Sequence, residues 1–333
     1  MVKIFENYPT ASIECSKIEK ALHSIGVGCR FISATDTVCS ITYYFEITNG
    51  KSLKTLRNGI FDLETILCLP KGTIRLTTEI KGANGAHFAL IVEKEDKPLL
   101  KSEDFKKSVK TCDYLIGIDS ATGEVVKGNL LDTPHLLIGG ASGSGKSVLL
   151  HSIIKSLLNY QNSNIGLCLI DTKQVELTEY TDHDKLCAPI ATTFNEAVYV
   201  LRVINQKMTE RYEHMAKNGL KVYNGTKWVI VIDEFADLML TDKRQIEPLV
   251  VRIAQMGRAC GIHLVIATQR PSVDVCTGLI KANIPHRIAL PCASARDSMV
   301  ILDTKGAELL KGKGEALVRM TNIQPLKTQC FYK

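Results

Sequence analysis

The stretch that most constrains this chain is HLLIGGASGSGKSVLLHSIIKSLL, residues 135–158. An apolar run ends in two glycines, a Gly-rich octet follows, and apolar residues then recur at helical spacing. The pattern spells strand, tight turn, helix. Gly140, Gly143 and Gly145 let backbone N–H groups turn inward, and the next helix presents unpaired N–H groups and partial positive charge at its start. The turn is therefore a cradle for phosphate oxygens. Gly140, Ala141, Ser142, Gly143, Ser144, Gly145, Lys146, Ser147 and Val148 are its nucleotide-binding candidates. Lys146 is expected to reach the β- and γ-phosphates of ATP, and Ser147 to ligate Mg²⁺.

A second stretch, WVIVIDEFADL (residues 228–238), ends an apolar β-branched run in two carboxylates. Two adjacent acids at the end of a buried strand are costly unless negative charge is needed there. Asp233 fits the aspartate that holds Mg²⁺ beside the phosphate loop, and Glu234 the general base that activates water. A surface acid or helix N-cap partner is the alternative for Glu234. Downstream, RIAQMGRACGIHLVIATQRP (residues 252–271) carries a further apolar strand that ends in Thr268 and Gln269. Gln269 is placed to sense the γ-phosphate. His263 reads as a packed core histidine. Arg252 and Arg258, six apart, do not share a helix face. Either a finger reaching a neighbour's ATP or a surface salt bridge suits them on this evidence.

The rest of the chain gives these motifs a setting. The strand-like runs HLLIGG, IGLCLID, WVIVID, GIHLVIAT and HRIALP alternate with helical segments, which implies a mostly parallel sheet covered on both faces. Before them, residues 1–110 read as a small α+β domain. It comprises a helix at SKIEKALHSIG, a strand CSITYYFEIT closed by Asn49-Gly50, one helix over LKTLRNGIFDLETIL, and strands TIRLTTEI and HFALIVEK. The lysine-rich KPLLKSEDFKKSVK (residues 97–110) reads as a solvated break before the 111–333 domain. Net charge is +6, which permits a nucleic-acid partner without requiring one. Eleven scattered cysteines with no C-x-x-C pair read as reduced cytoplasmic thiols, each a small buried hydrophobe. No run reaches the roughly 18 apolar residues of a membrane span, and no signal peptide is evident.

Taken in order, PHLLIGGASGSGKS, LIDTKQVEL, VIDEFADLM, RIAQMGRACGIHLVIATQRPSVDV and TGLIKANIPHRIAL closely resemble the FtsK/SpoIIIE family of DNA translocases, over roughly residues 115–318. The resemblance implies a RecA-like P-loop motor, ATP and Mg²⁺ as ligands, and a homohexameric ring around double-stranded DNA. It places Lys146, Ser147, Asp233 and Glu234 on the Walker positions and Gln269 on the sensor. It puts Arg258 on the finger, which decides that residue's open choice, with Arg252 the lesser candidate. Arg270 and Lys281 fall on loops that face the central pore, there to contact DNA phosphates. The chain departs from the family pattern at Ala295 and Met299, two pore positions that are often basic; Arg296 between them is a substitute DNA contact. The family's Asp-Pro-Lys appears as Asp171-Thr172-Lys173. Neither a membrane region before the motor nor a winged-helix reader after it is recognisable, so a stand-alone motor of a mobile element, phage or plasmid is the expectation. A protein-moving motor and a nucleotide switch that assembles a transfer complex are the rival classes.

Overall fold

The structure is a computed structural model, and it describes residues 13–48, 53–78, 87–94, 97, 100–108, 110–159, 164–320 and 324–332. It divides into two compact units: residues 1–99 with 119–124, and residues 100–118 with 125–333.

In the first unit, α1 (Cys15–Ser24), β1 (Cys29–Asp36), β2 (Ser40–Ile47), α2 (Leu53–Asn58), α3 (Ile60–Ile66), β3 (Ile74–Thr77) and β4 (His87–Glu93) follow in order. The four strands form an antiparallel sheet, β1-β2-β4-β3. Ile18 and Leu22 lie four apart on α1, on one helix face. Both are fully buried in a core with Phe45, Phe88 and Leu90, where Phe45 and Phe88 stack at 5.3 Å. One expected helix is two. The break is at Gly59, where a Cβ would come within 2.7 Å of Ile25 Cδ1, so a larger residue there would displace that side chain. Strand β1 lacks a sequence signature because most of its residues are exposed and show no alternation. Asn49 and Gly50 lie outside the described residues.

The second unit contains β5 (Asp113–Asp119), β6 (Val125–Asn129), β7 (His135–Gly139), α4 (Lys146–Asn159), β8 (Ile165–Ile170), α5 (Phe194–Lys217), β9 (Lys227–Ile232), α6 (Phe235–Cys260), β10 (Ile262–Thr268), α7 (Gly278–Asn283), β11 (His286–Ala289), α8 (Ala295–Leu302), β12 (Glu315–Arg319) and β13 (Leu326–Cys330). One nine-stranded sheet runs β6-β5-β13-β12-β11-β7-β10-β9-β8. Its five strands from β11 to β8 are parallel, as expected. Alternate residues of β9 serve opposite faces. Ile230 and Ile232 pack with Leu201, Met208, Phe235 and Ile253 of α5 and α6. Val229 and Val231 pack with Leu150, Ile153 and Leu157 of α4. This two-sided burial is why the strand reads as a continuous apolar run.

The lysine-rich break is not a free linker. A 3₁₀ helix forms over Ser102–Ser108. Tyr332 N–H donates to the Leu100 carbonyl and Ser102 N–H to the Tyr332 carbonyl, while Phe105 packs on Phe331 at 4.6 Å. Backbone pairing thus ties residues 100–102 to Tyr332, just beyond β13, and the compact second unit includes residues 100–118.

The strand order puts β10 between β7, which feeds the glycine loop, and β9, which ends in Asp233. Three strand ends therefore converge on one edge of the sheet, and the site is built there.

Candidate active site

The glycine loop closes on itself through backbone bonds: Ser144 N–H donates to the Ala141 carbonyl at 3.1 Å, and Ala141 N–H to Pro291 at 2.8 Å. Gly143 and Gly145 have φ of +75° and +95°, in the left-handed region open mainly to glycine, and a Cβ at either would meet nothing within 4 Å. At Gly140 a Cβ would strike Ser144 Oγ and Leu290 Cβ, at 2.6 and 2.8 Å. The buried Ser144 hydroxyl has no hydrogen-bond partner. Lys146 and the half-buried Ser147 open α4, with Val148 beside them in the first turn; the exposed Ser142 tops the loop. The loop thus leads directly into the N-terminus of α4, with open space beside Gly143 and Gly145.

Lys146 is almost wholly buried, and its Nζ donates to Asp233 twice: to the carboxylate at 2.6 Å and to the carbonyl at 2.9 Å. Burial pushes the Asp233 carboxyl up from its usual range, and the Lys146 ammonium opposes the shift without cancelling it.

Glu234 is buried rather than a surface acid, and it is also the N-cap of α6. Its Oε1 accepts from the Thr268 hydroxyl at 2.8 Å, from Gln269 N–H at 3.2 Å and from Ala236 N–H at 3.3 Å. Its Oε2 accepts from Gln269 N–H at 3.1 Å and Lys173 Nζ at 3.3 Å. Thr268 and Gln269 end β10, so the acid is clamped between two strand ends.

Lys173 was not assigned to the site by sequence. It stands on a turn organised by Asp171, whose buried carboxylate accepts four backbone N–H groups, those of Lys173, Val175, Glu176 and Leu177, at 2.9–3.2 Å. Register explains the meeting: Ile170 pairs with Ile232, which sets Asp171 beside Asp233.

The other candidates lie elsewhere. Arg258 is exposed in the last turn of α6, and its Nε donates to the Leu131 carbonyl at 3.0 Å. Its neighbour Gly257 packs on the Ile262 carbonyl, at the start of β10. About 20 Å of strand at ~3.3 Å per residue separates that end from Thr268, so Arg258 cannot reach its own phosphate loop. Arg252 is exposed and donates to Thr209 Oγ1 at 3.2 Å. Arg270 and Arg296 are exposed. Lys281 is not free: its Nζ pairs with Asp303 at 2.7 Å. Asp303 also takes Arg287 and Arg319. Partial burial would raise the Asp303 carboxyl, but hydrogen bonds from Lys281 and Arg287 prevail and hold it at about 2. His263 is a buried core residue, as expected.

A profile of the FtsK/SpoIIIE family matches residues 97–227 and 225–273, more than half of the chain. The chain belongs to the FtsK/SpoIIIE family. Among its FtsK/SpoIIIE relatives, a DNA translocase FtsK of Caldanaerobacter subterraneus subsp. tengcongensis is 38% identical over 320 residues, covering 91% of this chain and 45% of that protein. A Helicobacter pylori DNA translocase FtsK is 40% identical over 294 residues, covering 82% and 34%. The chain thus spans less than half the length of these two relatives. Among solved structures, the pCW3 conjugation coupling protein TcpA, in its monomer form with ATPγS, superposes with a TM-score of 0.67 at 24% identity, over 95% of this chain and 94% of that one. The cytoplasmic domain of the Thermomonospora curvata type VII secretion ATPase EccC gives 0.58 at 23% identity, over 66% and 28%. The fold is that of these P-loop ATPases. Among the described residues no helix is long and apolar enough to cross a membrane.

Proposed function

We propose that this FtsK/SpoIIIE chain hydrolyses ATP and uses the energy to move along double-stranded DNA, as a ring of six copies. One observation carries the hydrolysis: a buried Glu234, fixed beside Asp233 by Thr268 and Gln269 at the end of the strand between the two Walker strands. A nucleotide switch has no need of a second buried acid there. The DNA substrate is supported by the family and by the relatives that are DNA translocases.

The cradle and its neighbours fit ATP and Mg²⁺. The loop interior is open where side chains would block it. Lys146 already bonds an anionic oxygen, and Asp233 and the Ser147 hydroxyl supply hard oxygen donors. Mg²⁺ held by Ser147 and Asp233 would neutralise charge on the phosphate oxygens. When ATP enters, its phosphates take Lys146 from Asp233, an exchange of one anionic partner for another. Glu234 accepts a proton from water as that oxygen attacks the γ-phosphorus and the bond to the ADP oxygen breaks. Arg258 of a neighbouring copy stabilises the charge on the transferring group. Gln269 follows Thr268 at the acid and precedes Arg270, so loss of the γ-phosphate is transmitted to the segment carrying Arg270 and Lys281. Of the cations there, the exposed Arg270 and Arg296 grip phosphates without reading sequence, while Lys281 is held by Asp303.

The test is Glu234→Gln. It should bind ATP as tightly as the parent and lose turnover by at least about a hundredfold. Normal hydrolysis by this variant would remove Glu234 from the role.

A further inference from the structure

We infer that Cys187 and Cys168 form a second reactive site, a thiol pair that a hydroperoxide closes into a disulfide. The inference stands apart from ATP hydrolysis and rests on local geometry. Of the eleven cysteines, only Cys68 and Cys187 are exposed, which departs from the expectation that each is a buried hydrophobe. Cys187 lies on the segment that runs along the free edge of β8. Leu167 N–H donates to the Lys185 carbonyl and Cys187 N–H to the Leu167 carbonyl, both at 2.8 Å. This is a parallel bridge between Leu167 and Leu186.

The next residue on each strand is a cysteine. Paired strands lie roughly 4.8 Å apart, inside the ~4.4–6.8 Å between Cα atoms that a disulfide spans. The side chains also share a face. Cys187 Sγ lies over Gly166, where a Cβ would come within 2.4 Å of it. Gly166 and Cys168 are two apart on β8 and point the same way. The Cys187 sulfur therefore lies on the face of β8 that carries the Cys168 side chain. The Cys168 thiol beside it and the nearby Arg211 guanidinium lower the Cys187 thiol below its usual range despite partial burial, while the neighbouring Cys187 sulfur and burial raise that of Cys168. Cys187, which is exposed, is thus the nucleophile, and the buried Cys168 is the resolving thiol.

Access is provided by a cavity of about 520 Å³ lined by Cys187, Leu186, Pro189, Ile190, Asp171 and Thr178, among others. The Cys187 thiolate attacks one peroxide oxygen. The O–O bond breaks, leaving Cys187 as a sulfenic acid and releasing hydroxide. Cys168 sulfur then attacks the sulfenic sulfur, loses its proton, and water departs. Two thiols are oxidised by two electrons and one hydrogen peroxide becomes two waters. The bridge closes a loop that includes Asp171 and Lys173.

The experiment treats the reduced full chain with graded hydrogen peroxide, then maps peptides by mass spectrometry after blocking free thiols. The expected result is a Cys168–Cys187 peptide that forms at least about tenfold faster than Cys68 is oxidised and that dithiothreitol reverses. In Cys168→Ser, Cys187 should instead accumulate as a sulfenic acid trapped by dimedone. Cys187→Ser should leave Cys168 unmodified. Oxidation of Cys187 no faster than Cys68, or no bridged peptide although Cys187 oxidises, would overturn the inference.

Discussion

Lys173 Nζ sits 3.3 Å from Glu234 Oε2, and it is the one donor to that carboxylate borne on a long, partly exposed side chain. The other donors are two backbone N–H groups and the buried Thr268 hydroxyl. They fix the acid to the protein, while Lys173 shares Oε2 with Gln269 N–H and places a positive charge beside it.

Lys173→Met should therefore lower kcat for ATP hydrolysis by about tenfold, with KM for ATP little changed. Lys173→Arg should recover most of the loss. Steady-state kinetics on the three proteins decide it, and an unchanged kcat in the methionine variant would remove Lys173 from the site.

Arg258 lies at the far end of β10 from its own phosphate loop, so a finger role requires a second copy. Arg258→Ala and Glu234→Gln should each be nearly inactive alone. Mixed in equal amounts they should regain activity, because some sites then combine an intact Glu234 with an intact Arg258. The rate as a function of mixing ratio measures this. Strict additivity of two dead proteins would contradict a role for Arg258 at a neighbour's site.

Two histidines make folding stability pH-dependent. Burial holds His263 down to about 4, and burial with the adjacent His263 and His286 holds His135 down to about 3. Both are neutral when folded, whereas the unfolded chain protonates them near ~6.5. Below that pH the unfolded state binds more protons, so stability is full above ~6.5 and falls as pH drops towards 4. His263 alone contributes roughly 3 kcal/mol of that loss. Denaturant unfolding at pH 7 and pH 5 should show the decline, and His263→Leu should reduce it by roughly half, the His135 part remaining. A pH-independent midpoint would contradict the neutral assignment.

The parallel core was legible because its strands are buried on both faces and read as unbroken apolar runs, and the glycine octet follows one of them directly. The antiparallel extension was not. Strands β12 and β13 carry a buried ion pair, Lys327 with Glu315 at 3.3 Å, so EALVR and LKTQC look like surface. Asp233, Glu234 and the glycine loop announced themselves by residue type. Lys173 and Asp171 did not, because their place beside Asp233 and Glu234 depends on the β8–β9 register, which a sequence does not display. Lys281 read as a free cation because Asp303, which holds it, is distant in sequence and reaches it only through the α8 C-cap.

The proposed DNA contacts imply a salt signature. Arg270→Ala and Arg296→Ala should weaken DNA binding equally across unrelated sequences, and each should reduce the slope of log affinity against log salt by about one. Sequence-dependent losses would contradict backbone contact.

The central claim is tested most directly by steady-state ATP hydrolysis with and without long double-stranded DNA, at low and moderate salt. The proposed motor predicts a large rise that requires duplex DNA and shrinks as salt increases. Turnover that is low, or that is the same with and without DNA, would contradict it.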